Sequence, residues 1–452
     1  SYASLGHISS LLFDEIAEVA LVRVDEFSSQ ELANTVCAYA AIGHSSPALF
    51  EKIAEAALYS IHKFNSQELA NMLWAYAKVG HSSHALFDEI SEILLCRIHE
   101  LNSQELTNKV WAYATLGHVS PTLFDKIAEV SLGYVNEFNS QELANTVWAY
   151  ATSGHTSPTL FNKIAEVSFR RIDEFSPQEL ANIAWAYAKI GHSSPALFDK
   201  IAEASLCRVH DFNSRNIANT VWAFASVGHY SPALFDKIAE VTWPCLHQYN
   251  SQELANTVWA YAVSNFPSNV EFCHDQCVAD SIISSFEKFD RWSLFQIHQW
   301  NLWCSESLDN SILPSDLSNR CLESFSLEDG SPSKLQRSVA HVLTKMRISF
   351  EEEARLGTGY SVDMLLTING EKIPIEVDGP SHYLGESKTQ NGSTRLKHRQ
   401  IGVLDGLEIV TVPYWEWDEV AAKDKRNNGF KYRIAYLRSL LKKQYIGDGA
   451  IN

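Results

Sequence analysis

Along most of the chain the pattern of apolar and polar positions returns every 37 residues, and inside each copy it has the period of helices. One copy reads Asn65-Ser66-Gln67-Glu68-Leu69-Ala70-Asn71-Met72-Leu73-Trp74-Ala75-Tyr76-Ala77-Lys78-Val79-Gly80-His81, followed by a second segment from Ser83 to about Leu101. The Asn-x-x-Glu opening predicts a capping box, with the Asn65 side chain accepting from the Glu68 amide and Glu68 reaching back. Gly80 fits the left-handed position that ends a helix. In the fifth copy Pro177 falls at the first helical position, where a missing N–H costs nothing, and Ser46-Pro47, Ser120-Pro121 and Ser157-Pro158 open the second helix by the same logic. Each copy is thus a helix-turn-helix hairpin, beginning at about Ser28, Asn65, Asn102, Asn139, Ser176, Asn213 and Asn250, with a half unit before them. Such copies bury their apolar faces only against one another, which predicts an α-solenoid.

Plotted at 100° per residue, the first helix separates into two arcs. Leu69, Leu73, Ala77, Ala70 and Trp74 are expected in the core, and Gln67, Asn71, Ala75 and Lys78 opposite, with Glu68 and Met72 beside them. Asn occupies one outer slot in every copy: Asn34, Asn71, Asn108, Asn145, Asn182, Asn219 and Asn256. Its amide could hydrogen-bond a base edge of single-stranded RNA, or tie adjacent hairpins together through backbone groups. Its neighbour varies as Thr35, Met72, Lys109, Thr146, Ile183, Thr220 and Thr257, and a third slot as Ala41, Lys78, Thr115, Thr152, Lys189, Ser226 and Val263. These varying slots are the better candidates for reading a sequence. The Gly-His pairs, from Gly6-His7 to Gly228-His229, have no acidic or cysteine partner at ligand spacing and are expected to serve the turn.

Net charge is -18, unevenly spread: Lys334 to Lys443 holds 18 Lys and Arg against 14 Asp and Glu, leaving the rest of the chain at -22. That acidity admits a scaffold for protein partners as an alternative to an RNA reader. Eight scattered cysteines, one of them Cys37 in a place where other copies have Trp, predict no disulfide framework. No apolar run is long enough to cross a membrane as a helix. The chain opens in mid-repeat without an initiator Met, so it is expected to continue a longer protein with any targeting segment upstream.

After Ala262 the repeat decays. Arg291 to Cys304 reads as a capping helix that closes an array spanning 1–304, a Ser-rich linker spans 305–332, and a mildly basic α/β domain follows over 333–446. In that domain Asn369-Gly370 between alternating residues predicts a two-residue hairpin turn, which fixes the register. Val362 then faces Val377, Met364 faces Ile375 and Leu366 faces Ile373, while Asp363 faces Glu376 on the other side. Carboxylates opposed at roughly 4.5 to 5.5 Å repel, so a divalent metal, a shared proton or a cation must offset them. With Gln336 on the preceding helix, Asp363 and Glu376 outline a Mg²⁺ site for phosphodiester chemistry, with Asp378 close by and His382, Lys397 and His398 as acid, base or phosphate contacts. Trp417 is expected in the core, whereas Trp415 is open to either core or base stacking. The last helix, with Lys431, Arg433, Arg438 and Lys442, is amphipathic and basic.

Three ordered motifs carry a resemblance: Ile375-Glu376-Val377-Asp378-Gly379-Pro380-Ser381-His382-Tyr383, then Thr394-Arg395-Leu396-Lys397-His398-Arg399, then Val412-Pro413-Tyr414-Trp415-Glu416-Trp417. With the closing helix they resemble a RAP domain, over about Lys334 to Gln444, and the upstream hairpins resemble heptatricopeptide and octotricopeptide repeats. The resemblance implies a restriction-endonuclease-like α/β fold of the PD-(D/E)xK type, near the very-short-patch-repair endonucleases. It implies a role in RNA processing, stability or translation in a mitochondrion or chloroplast, on an organellar transcript or ribosomal RNA. On that mapping Asp363 and Glu376 are the metal carboxylates, Arg399 joins the RNA-binding residues, and Asp378 stands where the nuclease motif has Lys, a place Lys397 could fill. Binding without cleavage and metal-dependent endonuclease action both stay open.

Overall fold

The computed structural model describes residues 10–266, 276–308, 312–327, 332–385, 387–426 and 429–445. The chain divides into two compact units, Ser1–Ser205 and Leu206–Asn452. Gly6 and His7 lie outside the described residues.

The first unit is built of the predicted hairpins. Its first helices are Ser29–Ile42, Ser66–Val79, Ser103–Thr115, Ser140–Ser153 and Pro177–Lys189, alternating with second helices such as Pro47–Tyr59 and Pro158–Arg170. Each first helix opens with a full capping box; at Asn139 the side chain accepts from the Glu142 amide at 2.8 Å while the Asn139 N–H donates to Glu142 Oε2 at 3.0 Å. The terminal glycines adopt φ near +70°, as at Gly80 and Gly154. A buried tyrosine ties each first helix to the second helix before it, for instance Tyr150 Oη donating to the Phe124 carbonyl at 2.6 Å. Three of the Gly-His histidines do have acidic partners, supplied 30 residues upstream by that same second helix: His44 meets Asp14, His118 meets Asp88 and His155 meets Asp125 at 2.8 to 3.1 Å, while His192 meets Asn162 in the same way at 2.9 Å. The expected turn role is therefore joined by a cross-hairpin contact that spacing alone did not reveal.

The second unit continues with first helices Ser214–Val227 and Ser251–Ser264. The helix Arg291–Leu308 then packs on Ser251–Ser264 as one first helix packs on another, and Asp290 accepts from the Ser293 N–H at 2.8 Å at its start. It is an eighth first helix, 40 residues on instead of 37. Part of the expected linker is helical too: Ser315–Ser326 packs against Arg291–Leu308.

The α/β domain is a four-stranded sheet in the order β1 (Ser349–Arg355), β2 (Ser361–Ile368), β3 (Glu371–Glu376), β4 (Val410–Thr411), antiparallel except for the parallel β3–β4 pair. The β2–β3 register has Met364 opposite Ile375 and Leu366 opposite Ile373. One core joins these residues to Val339, Leu343, Trp417, Leu437 and Leu441 of the flanking helices. A second joins Ala354, Tyr360, Leu365 and Ile401 to Phe295 and Phe325 of the last hairpin. The seven cysteines among the described residues form no disulfide with one another, and no described helix is long and apolar enough to cross a membrane.

Candidate nucleic-acid interface and acidic cluster

The first helices do not divide as their 100° plot suggests. Each is flanked by its neighbours' first helices as well as by second helices, so most of its circumference is covered. Met72 and Ala75, expected outside, are fully buried. What stays open is a narrow stripe four, then three, then four residues apart, one face of a helix. In successive repeats it carries Gln67, Asn71, Trp74 and Lys78; Gln104, Asn108, Trp111 and Thr115; Gln141, Asn145, Trp148 and Thr152; Gln178, Asn182, Trp185 and Lys189. Trp74, expected in the core, is only half-buried and belongs to this stripe.

The predicted RNA-binding residues therefore part company. Met72, Lys109, Thr146, Ile183, Thr220 and Thr257 are buried and Thr35 is half-buried, so this varying slot packs helix against helix and cannot reach a strand of RNA. Several of its threonines bond the backbone one turn earlier, as Thr257 does to the Glu253 carbonyl at 2.7 Å. Asn34 and Asn108 are exposed and Asn71, Asn145, Asn182 and Asn219 half-buried, and among the described residues their side-chain amides make no hydrogen bond. Among the described residues nothing uses those amides to tie hairpins together. Asn256 differs, accepting from Gln296 at 2.9 Å. Lys78 and Lys189 are exposed on the stripe.

Acidic side chains keep off this face. Each of the first helices from Ser29–Ile42 to Ser251–Ser264 has at most one, the capping glutamate, and the other acidic residues of these repeats sit on second helices and the turns after them, many paired to a lysine three residues before, as Lys163 with Glu166 at 2.9 Å.

In the α/β domain, Asp363 and Glu376 come together as the hairpin register requires. Asp363 Oδ2 accepts from the Val377 N–H at 2.6 Å and Oδ1 from the Gln336 amide, which also donates to Glu353. Lys397 Nζ lies 2.8 Å from Glu376 Oε1, so a cation offsets the repulsion. Burial pushes Glu376 up to about 7; Lys397 opposes the rise, while Asp363 and Asp378 add to it. Burial also raises Asp363, against the Val377 N–H, Lys397, Gln336 and His382. Glu353, missed by sequence reasoning, has φ of 50° and lies between Glu352 and Ala354, whose partners Met364 and Val362 bracket Asp363; the unbroken β1–β2 register sets it across from Asp363, through a connection too long to fix a register as a two-residue turn does.

Asp378 is fully buried, accepting from Tyr383 Oη at 3.0 Å and Gln390 at 3.2 Å, with His382 3.4 Å away. His398 is held down to about 4 by burial, with Asp378 opposing. These residues do not fit a resident Mg²⁺ as they are arranged. Both oxygens of Asp363 are taken by protein donors, Lys397 sits on Glu376, and among the described residues no three His, Cys, Asp or Glu side chains converge at ligand distance. Trp415 is half-exposed, edge-on to Tyr383 at 4.5 Å, with Lys388 over its ring at 5.4 Å; Trp417 is buried and donates to Ser338. Arg399, expected on RNA, instead holds the Ala262 carbonyl at 2.6 Å and Glu306 at 3.0 Å. Guanidinium groups favour such carbonyl and carboxylate forks, so it fastens the α/β domain to the last repeats.

Comparison with known proteins agrees with this layout. Residues 375–440 match the RAP domain family, and residues 11–271, more than half of the chain, match the family described as RNA-editing substrate-binding complex 8 protein. A chloroplastic RAP domain-containing protein of Oryza sativa subsp. japonica is 29% identical over 109 residues, which is 24% of this chain and only 15% of that protein. With its helical array matched from the opening half unit into the seventh hairpin and the β3–β4 domain behind it, the chain belongs to the RNA-editing substrate-binding complex 8 protein family and carries a C-terminal RAP domain.

Proposed function

We propose that the chain is an RNA-binding protein of organellar RNA processing, in which the stripe of the first helices holds single-stranded RNA and the RAP domain extends the grip without cutting. The observation that carries this reading is the row of amides from Asn34 to Asn219, which among the described residues make no hydrogen bond, on a face where, capping glutamates aside, the first helices from Ser29–Ile42 to Ser214–Val227 carry no carboxylate. An open amide is a donor and an acceptor waiting for a base edge. The families matched are named for RNA editing and for RAP, and the plant relative is chloroplastic, which supports both the ligand and the compartment.

The stripe is poor in cations, with Lys78, Lys189 and Arg215 its basic members. Binding of a random single-stranded RNA pool should therefore weaken only modestly from about 50 to about 200 mM salt, with a log–log slope near -2, since roughly 0.7 counterions leave per phosphate neutralised. No binding at the lower salt would overturn the reading in favour of a protein scaffold using the acidic second helices. Cleavage is tested separately: with Mg²⁺, wild type and Asp363→Ala should leave RNA equally intact. Cleavage by wild type alone would restore the metal-dependent endonuclease, with Lys397 and His382 at the phosphate.

A further inference from the structure

We infer that the stripe tryptophans are base-stacking platforms, so that each of these repeats takes one base of a single strand with little regard to its identity. This rests on the RNA-binding reading above and adds the side chains that reading does not require.

The tryptophans are Trp74, Trp111, Trp148 and Trp185 in the first unit and Trp222 in the second; Cys37 and Trp259 hold the same place in the first and seventh repeats. Each follows the stripe asparagine by three residues, so ring and amide share a face. All five are half-buried, and among the described residues none of their indole N–H groups is either bonded or buried without a partner. A slot that only packed helices would be filled and closed, as the buried slot beside the asparagine is. An open indole face beside an open amide offers stacking and edge contact together.

The end of the array shows which chemistry these two slots accept. There the eighth first helix lies alongside, Gln296 donates to Asn256, and Gln299 accepts from the Trp259 indole N–H at 2.8 Å, leaving Trp259 6% exposed. Planar carboxamides, with the donor and acceptor groups of a base edge, thus occupy at the seventh repeat what the earlier repeats leave free. Within the second unit the rings of Trp222 and Trp259 lie 6.3 Å apart and 32° from parallel. Because ring and amide are the same from the second repeat to the fifth, they cannot distinguish bases. Any preference falls to the outer slot of Lys78, Thr115, Thr152 and Lys189.

The test uses the full chain with uridine and adenosine 20-mers, reading affinity and indole emission together. Wild type should bind both within about ten-fold of each other and lose emission on binding. Trp148→Ala should bind about ten-fold more weakly, the size expected for one lost stack, whereas Trp148→Phe, which keeps a ring, should stay within about three-fold of wild type. Binding by wild type with unchanged emission, or equal affinities for Trp148→Ala and wild type, would overturn stacking and leave the RNA-binding reading standing. Should Trp148→Ala fail to fold, the same comparison with Trp148→Phe and the wild-type emission decides. A wild type that binds neither oligomer would overturn the RNA-binding reading itself, and this inference with it.

Discussion

At Glu376 burial and pairing act in opposite directions, and the balance is readable as a pH dependence. Its carboxyl, 2% exposed, stands at about 7 against an ordinary 4.5, because burial outweighs the pull of Lys397. Below 4.5 the group is protonated folded or unfolded, so it contributes no difference. Between 4.5 and 7 the unfolded chain ionises while the folded one keeps its proton, so stability falls as pH rises and the loss is complete above 7. The conversion gives at most about 3 kcal/mol, less whatever relaxation lets water in. In urea titrations wild type should therefore lose about 2 kcal/mol more than Glu376→Gln between about pH 5 and pH 7. Superimposable pH profiles would remove Glu376 as the titrating group. The meeting of Asp363 with Glu376 was legible in the sequence, since a two-residue turn fixes its own register. Lys397 lies 21 residues away and Glu353 is brought opposite Asp363 by the β1–β2 pairing, whose connection is not a two-residue turn, so neither position follows from a local pattern.

Helix ends and helix faces differ in how far a sequence can specify them. Caps and terminal glycines answer to three or four neighbouring residues, so the boundaries at Asn139 and Gly154 were plain from sequence. A face depends on what packs against it. The wheel put Trp74 inside and Met72 outside because it assumes one covered side, whereas a first helix in the array is covered on three. Substitutions at the ends should then have simple, local costs. Asn139→Ala loses the capping box for about 1 kcal/mol. Gly154→Ala, at φ +68° with nothing within 4 Å of an added Cβ, should cost about 1 to 2 kcal/mol from backbone strain alone, and Gly154→Asn clearly less. Thermal unfolding of the three variants checks the order. An alanine at 154 that melts with wild type would mean the turn relaxes.

In the C-terminal unit the RAP domain is not a bead on a tether, and this has a consequence for how it folds. The side of its sheet away from the Trp417 core is closed by the last hairpin: Phe295 and Phe325 pack on Ala354, Tyr360, Leu365 and Ile401. A buried polar chain runs through the same contact. Gln299 donates to Tyr360 Oη at 2.8 Å, Tyr360 to Gln400 at 2.8 Å, and Gln400 back to the Gln299 carbonyl at 2.8 Å. Removing one side would leave apolar surface bare and buried donors unpaired, each of the latter costing about 1 to 3 kcal/mol. A fragment of residues 206–452 should accordingly unfold in one cooperative step, while residues 333–446 alone should melt lower and bind a hydrophobic dye. Extending the short fragment back to residue 276 should restore most of the difference, because the helices that carry Phe295, Gln299 and Phe325 return with it. If the short fragment proves as stable as the long one and stays dark to the dye, the contact is a docking of two finished domains, and Arg399→Ala should then separate them without unfolding either.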